Sequence, residues 1–344
     1  MKIFYAVQAT GNGHISRAME LLPYLEKFGK VDIFLSGANS TLQLQAPIKY
    51  RSKGLSLFYT CNGKLNYSKI FSQSSPLRVL KEARDLPVEK YDLVINDFDC
   101  ITSIACARKR IPSVNFGHQA SFLSNKTPRP DKMSVVGEWV LKNYARATQN
   151  IGLHFECYED FIYSPVIKDE IRNSEVRNLG HITVYLPSFC EQQLEKIFLP
   201  FKDHRFEIFS HQTNIIRRLG NLSFVPVSKK GFNQSLVNCY GIITGGGFET
   251  PAEALYLKKK ILSIPIRGQY EQICNAAALK KLGVPVLDKI DDDFGDQFRN
   301  WVNSEKSPQI SYAYDTEAIV NALMYSCSNL RFELDITYPD LIFN

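Results

Sequence analysis

No C-x-x-C pair joins any of the eight cysteines in this chain (Cys61, Cys100, Cys106, Cys157, Cys190, Cys239, Cys274 and Cys327). Their mostly apolar surroundings point to buried thiols in a reducing compartment, and against a disulfide framework or a zinc site. No window approaches the ~18 consecutive apolar residues that a membrane-spanning helix needs. The first residues, MKIFYAVQATGNGH, run straight into a strand. They leave no room for a charged n-region and an apolar h-region, so a cytoplasmic location is expected. The basic residues are scattered and no recognition motif accompanies them, which sets nucleic acid aside as a partner. Short internal repeats and low-complexity stretches are also missing.

What is there is an ordinary globular composition, 44% hydrophobic and 22% charged, over 344 residues, a length that accommodates two domains with a core each. The net charge of +6 resides in residues 1–175, and residues 176–344 are neutral. The basic half suits an anionic acceptor or an anionic membrane surface, unless it is simply solvated. Strands are expected at 2–7, 31–36, 91–95 and 112–116, with helices at 15–28, 76–86, 100–109 and 139–147. The pattern restarts with strands at 181–186, 206–209, 221–225, 241–244 and 260–266, a helix at 190–198 and a last helical stretch at 316–324. Such alternation predicts an α/β protein whose doubly wound parallel sheets are covered on both faces. The polar, turn-rich stretch 164–180 marks a boundary, giving domains at 1–170 and 171–325 and a tail at 326–344.

Chemistry concentrates in GGGFETPAEALYLKKKILSIPIRGQYEQICNAAAL, from Gly245 to Leu279. Gly245, Gly246 and Gly247 end a strand and open a helix. There backbone N–H groups can approach an anion, and the helix terminus adds about half a positive charge. Phe248 and Thr250 belong to the same turn, and Thr250 brings a hydroxyl donor. Glu253 lies deeper in the helix, where a carboxylate that only accepts hydrogen bonds suits the two ribose hydroxyls. Gln272 and Asn275 follow on the next helix. The order reads as a nucleotide-sugar site.

GGFETPAE resembles the Gly-Gly-x-x-Ser/Thr-x-x-Glu donor signature of GT-B-fold glycosyltransferases, and EQICNA resembles the Gln-x-x-Asn-Ala element that follows it. The resemblance extends to the family of the bacterial N-acetylglucosaminyltransferase that makes lipid II. It implies two Rossmann-like domains facing a cleft, with the acceptor on 1–170, the nucleotide-sugar on 171–325 and the tail packing back on the first domain. It further implies a UDP- or dTDP-sugar donor and inversion at the anomeric carbon.

Gly11-Asn12-Gly13-His14 is not the dinucleotide fingerprint. The third glycine is missing at Ser16-Arg17, and no acidic residue ends the next strand. The segment resembles the GT-B loop Gly-x-Gly-His beneath the transferred sugar, which makes Gly11 and Gly13 donor-side residues. A neutral His14 at a helix N-terminus can take a proton from an attacking hydroxyl, and the positive helix end favours the neutral ring. A capping or positional histidine is the other reading. Asp97, in Asn96-Asp97-Phe98-Asp99, resembles the Asp-Phe element whose aspartate hydrogen-bonds the catalytic histidine. The bland alternative is a cap on the helix near Ile101. A D-x-D metal motif is not expected, because the resemblance implies helix N-termini at the diphosphate. No cofactor and no obligatory metal are therefore called for. His118, in Gly117-His118-Gln119, resembles a cleft histidine on the acceptor side, a phosphate or acceptor ligand. Phe224-Val225-Pro226-Val227 resembles a Trp-Ala-Pro-Gln base-binding segment, with Phe224 packing on the base and main-chain bonds near Val227.

These residues predict an inverting glycosyltransferase acting on a nucleotide-sugar donor and a small-molecule or glycolipid acceptor, with association at an anionic cytoplasmic membrane face. A UDP-sugar 2-epimerase shares the fold but needs carboxylates near the sugar. A catalytically silent nucleotide-sugar-binding protein has no need of a base beneath the sugar. The acceptor falls to residues 50–75 and 121–132, whose Phe58, Tyr59, Tyr67, Phe71, Phe122, Lys126 and Arg129 fit a glycolipid or an ordinary lid.

Overall fold

The structure, a computed structural model, describes residues 1–37, 40, 42–54, 75–305, 308 and 310–330. Phe58, Tyr59, Tyr67, Phe71 and most of the expected tail lie outside the described residues. Continuous apolar runs such as Ile3 to Val7, every residue of it buried, form strands covered on both faces. The first sheet has seven parallel strands in the order β3-β2-β1-β4-β5-β6-β7. They are β1 (Lys2–Gln8), β2 (Lys30–Ser36), β3 (Ile48–Ser52), β4 (Leu93–Asp97), β5 (Val114–Gly117), β6 (Gln149–Leu153) and β7 (Ile162–Tyr163). The second sheet has the order β10-β11-β9-β8-β12-β13. Its strands are β8 (His181–Tyr185), β9 (Arg205–Ser210), β10 (Arg217–Leu219), β11 (Leu222–Pro226), β12 (Gly241–Thr244) and β13 (Lys260–Ser263). All its pairs are parallel except β10 with β11.

The helices are α1 (Asn12–Glu26), α2 (Pro76–Asp85), α3 (Cys100–Lys109), α4 (Val135–Asn143), α5 (Asp169–Arg172), α6 (Glu191–Phe198), α7 (Lys229–Asn238), α8 (Glu249–Tyr256), α9 (Tyr270–Lys281), α10 (Phe294–Asn303) and α11 (Thr316–Leu330). The helix expected at 139–147 starts earlier, because Ser134 is its N-cap and accepts from Gly137 N at 3.1 Å. Helix α7 has no apolar stripe to announce it. Its buried face includes Asn233 and Ser235, and Ser235 meets the Thr183 hydroxyl at 2.7 Å. Helix α11 lies against α1: Ile319, Val320 and Leu323 share a core with Ala18 and Leu22, and Lys27 reaches Glu317 at 3.2 Å. Among the described residues no helix is long and apolar enough to cross a membrane. Cys100, Cys106, Cys239 and Cys274 are free, buried thiols, whereas Cys157 is exposed.

The second sheet's outer core is aromatic. Phe198, Phe206, Phe294 and Trp301 surround Phe298, which is fully buried with ring centroids 5.9 Å from Phe206 and Trp301. Phe298→Ala should destabilise the protein by about 3–5 kcal/mol in urea unfolding, from lost burial plus the cavity left behind. A loss below about 1 kcal/mol would show that this cluster is not close-packed.

Candidate active site

In parallel sheets the strand ends at the carboxyl edge carry the ligand-facing loops, and both sheets place the expected residues there. Register pairs Val7 of β1 with Asp97 of β4, so the turn into α1 and the end of β4 are neighbours. Phe98 adopts φ 56°, a left-handed conformation unusual for a bulky residue. Asn96 braces this turn, accepting from Asp99 N at 2.7 Å and donating to Asp99 O at 2.9 Å. The two aspartates consequently part ways. Asp99 caps α3, accepting from Thr102 N at 2.6 Å, and Asp97 turns to His14. Capping therefore belongs to Asp99.

His14 Nδ1 stands 2.8 Å from Asp97 Oδ1, with the Asp97 side chain fully buried and that of His14 12% exposed. Nδ1 also lies 3.0 Å from the Arg17 Nη2 donor, but the ionised carboxylate is nearer and only accepts, which favours the hydrogen on Nδ1 and leaves Nε2 with a free lone pair. Arg17, three residues on and thus on the same helix face, donates Nη2 to both Asp97 oxygens, at 2.7 and 3.0 Å. Burial pushes the Asp97 carboxyl up, but the Arg17 guanidinium and His14 outweigh it and hold the group below its ordinary value. Through Nη1, Arg17 also bonds Glu249 at the start of α8, on the second sheet's side. Burial opposes the Arg17 charge as well, yet its two carboxylate partners raise its pKa further. Glu249 is less well served. Burial pushes its carboxyl up to about 7, with Glu253 and Asp97 adding to the rise against the pull of Arg17.

The glycine turn is built from behind by α9. Gln272 Oε1 accepts from Gly246 N at 3.1 Å and from Ile266 N at 2.9 Å, and Asn275 Nδ2 donates to Gly246 O at 3.0 Å. A Cβ at Gly246 would stand 2.6 Å from Gln272 O, so the close approach needs glycine, whereas beside Gly11 and Gly247 there is open space. The first backbone bond of α8 runs from Ala252 N to Phe248 O at 3.0 Å. The amides of Glu249 and Thr250 have no intrahelical acceptor and Pro251 has no N–H, a terminus suited to an anion.

Of the two roles expected for Gln272 and Asn275, holding the sugar or framing the phosphates, their bonds to the glycine turn favour the second. Other expected residues are buried and paired. Glu253 is 2% exposed and bonds Lys168 Nζ at 2.9 Å through Oε1 and 3.0 Å through Oε2. Lys168 also donates to Asn233 Oδ1 at 3.1 Å. His118 is buried with both nitrogens engaged, Nδ1 at 2.9 Å from Leu153 O and Nε2 at 2.7 Å from Asn275 Oδ1. Its ring stacks on Phe248 at 3.8 Å, which removes it as a phosphate or acceptor ligand. Phe224 is fully buried in β11 beneath the Arg217 guanidinium, 4.3 Å from its ring, so it has no face for a base. Val227, half-buried just past β11, keeps only its main chain for that purpose. Of the acceptor-side residues, Phe122 is buried, Lys126 pairs with Glu159 at 3.0 Å and Arg129 with Glu138 at 2.5 Å. Sequence inspection missed Arg17, Glu249 and Lys168. The spacing of three from His14 could have found Arg17; nothing in the sequence signals Lys168.

The sequence profile of the family described as Glycosyl transferase family 1 matches residues 1–302. No curated protein matches the chain. Among solved structures, the chain is similar to Arabidopsis thaliana UGT89C1 complexed with UDP, at 12% identity over 97% of this chain and 99% of that one, TM-score 0.60. It is similar to Acinetobacter baumannii MurG at 14% identity over 96% and 99%, TM-score 0.53. A Listeria monocytogenes protein described as a candidate UDP-N-acetylglucosamine 2-epimerase has 12% identity over 99% of both chains, TM-score 0.53. Likeness at this level concerns the fold, which is GT-B: two Rossmann-like parallel-sheet units.

Two outcomes follow from the charges. Glu249 titrates from an ordinary 4.5 to about 7 on folding. In that window the native state holds more protons than the unfolded chain, so stability falls as pH rises. Glu249→Gln cannot ionise. Its urea-unfolding stability, measured from pH 4.5 to 8, should therefore gain on the wild type up to about pH 7, while the opposite trend from His118, lowered by burial to about 4, cancels in the comparison. A pH-independent difference would contradict the raised carboxyl. Glu253→Gln strands the buried Lys168 charge, and should cost toward the lower end of the about 3–5 kcal/mol typical of a broken buried pair. Adding Lys168→Met should restore most of it, and an additive double variant would show that the pair is not coupled.

Proposed function

We propose that this chain, which belongs to glycosyl transferase family 1 and is a glycosyltransferase, moves a sugar from a UDP- or dTDP-sugar to an acceptor hydroxyl by one in-line displacement with inversion. The observation that carries this is the His14–Asp97 pair, 2.8 Å apart, whose outer nitrogen Nε2 has no hydrogen bond among the described residues. His14 Nε2 takes the acceptor proton as the acceptor oxygen bonds to the anomeric carbon. The bond from that carbon to the β-phosphate oxygen breaks, and its electron pair leaves with the nucleoside diphosphate. Asp97 stabilises the imidazolium so formed, and Arg17 keeps Asp97 ionised and aimed. Charge growing on the leaving diphosphate meets the amides at the start of α8 and the Thr250 hydroxyl, with no metal required. Glu253 gives one lone pair on each oxygen to Lys168 and retains others for the ribose.

The epimerase alternative needs carboxylates at the sugar, whereas Asp97 is engaged by His14 and Arg17, and Glu249 by Arg17. That engagement supports transfer. Peripheral membrane association draws support from Met133, Val135, Val136 and Trp139, all exposed on α4 and the loop before it, beside Lys132. His14→Ala should lower turnover by about 10²–10⁴-fold while calorimetric UDP affinity stays unchanged. Turnover like that of wild type would remove His14 from the mechanism. Formation of an epimerised UDP-sugar without any acceptor would overturn the transferase assignment.

A further inference from the structure

The catalytic edge of the first sheet continues past His14 into a second recess. Strands β1, β2 and β3 are adjacent and parallel, so their carboxyl ends lie side by side, β3 about 10 Å from β1 at ~4.8 Å per strand. The loops there are knitted together: Ala9 N donates to Ser36 O at 2.6 Å, Gly37 N to Ser52 O at 3.1 Å, and Ser40 Oγ to Asn12 Oδ1 at 3.0 Å. Beside them is a cavity of about 430 Å³ lined by Leu35, Gly37, Arg51, Ser52, Lys53, Arg78 and Glu82. That is a volume fit for a small-molecule group.

Its charge is lopsided. Three cations face one carboxylate, and that carboxylate is already engaged, with the Ser52 hydroxyl at 2.5 Å from Glu82 Oε2 and Arg78 Nε at 3.7 Å from Oε1. Arg78 is fixed by its Nη2 bond to Gly54 O at 2.7 Å, while its buried Nε has no hydrogen-bond acceptor. Arg51 and Lys53 are exposed and form no ion pair among the described residues. This differs from Lys126 and Arg129 on the other acceptor-side loop, both of which are paired. Unpaired cations around a concave site on the catalytic edge are arranged for an anion, not for solubility alone.

We propose that this cavity is an anion subsite for the acceptor: Arg51, Lys53 and Arg78 hold a phosphate or carboxylate group of the acceptor while its reacting hydroxyl lies at His14, on the same edge of the sheet. The assignment rests on the transferase reading and adds to it the acceptor's charge. A phosphate of this kind is carried either by a soluble acceptor or by a lipid headgroup.

The test is a calorimetric titration of the full chain, first with UDP and then, at saturating UDP, with inorganic pyrophosphate. A parallel arm measures sedimentation with phosphatidylglycerol-containing vesicles against pure phosphatidylcholine. Arg51→Ser with Lys53→Ser, both at exposed positions, should leave UDP affinity unchanged and weaken pyrophosphate binding by about 10- to 100-fold. The control, Lys196→Ser with Lys202→Ser on the second sheet's surface, should leave both unchanged. If vesicle binding rather than pyrophosphate binding falls selectively in the variant, the anion is a lipid headgroup and the subsite stands. Equal losses in variant and control, or no loss with either probe, would overturn the subsite while UDP binding leaves the transferase reading standing. Absence of UDP binding to the wild-type protein would be the separate failure of that reading.

Discussion

The arrangement around the cleft depends on the charge of Arg17. One guanidinium, buried to 4% exposure, is shared between Asp97 at the end of β4 and Glu249 at the start of α8. Two buried carboxylates this close to one another repel, and a single cation between them neutralises only part of that repulsion. The division is unequal. Asp97 takes three guanidinium bonds plus the imidazole and stays ionised, whereas Glu249 takes one and is pushed toward its neutral form. The inequality suits the proposed chemistry, since the carboxylate behind His14 is the one that has to be charged when a proton arrives. It also joins the two sheets at the place where a reacting bond would lie, so the alignment of His14 and the position of the glycine turn are linked through one side chain.

The second constraint is the rigidity of the glycine turn. An anion-binding loop is useful only if its amides point the same way before and after binding, and Gly246 has both its N–H and its C=O held from behind by α9. The Gln-x-x-Asn spacing makes this feasible, because residues 272 and 275 lie on one face of a helix and reach two groups of the same peptide segment. Gln272 and Asn275 thus support the turn, and the groups it offers to an anion in the proposed site are main-chain amides, which a sequence does not display.

Legibility in the sequence followed the same division. Strand–helix alternation and the two glycine turns were readable because each is local, whereas the pairing of His14 with Asp97 was legible only through the resemblance of Asn96-Asp97-Phe98 to a known element, beside a capping alternative. Glu253 was readable as a buried helical carboxylate but not as the partner of Lys168, which lies 85 residues away and is brought near by the packing of α5 on α7. Phe224 illustrates the opposite failure. An aromatic residue near a base-binding segment suggests stacking, yet period-two alternation within β11 sends position 224 into the core, where Arg217 covers its ring. Helix α7 escaped notice since Asn233 and Ser235 interrupt its buried face beside Leu236 and Val237, satisfied by partners that only tertiary structure supplies.

His118 sits in an imperfectly matched set of contacts where the two sheets meet. Its Nδ1 faces Leu153 O and its Nε2 faces Asn275 Oδ1, so both nitrogens meet acceptors. Turning the Asn275 amide over would present a donor to Nε2 but set its oxygen against Gly246 O, which now receives the Nδ2 hydrogen. Only a doubly protonated ring satisfies every partner, yet burial lowers the His118 pKa to about 4. A neutral ring therefore leaves one opposed pair of acceptors wherever its single hydrogen resides. Stacking on Phe248 and the charge of Arg17 must outweigh that mismatch for the two sheets to meet as they do.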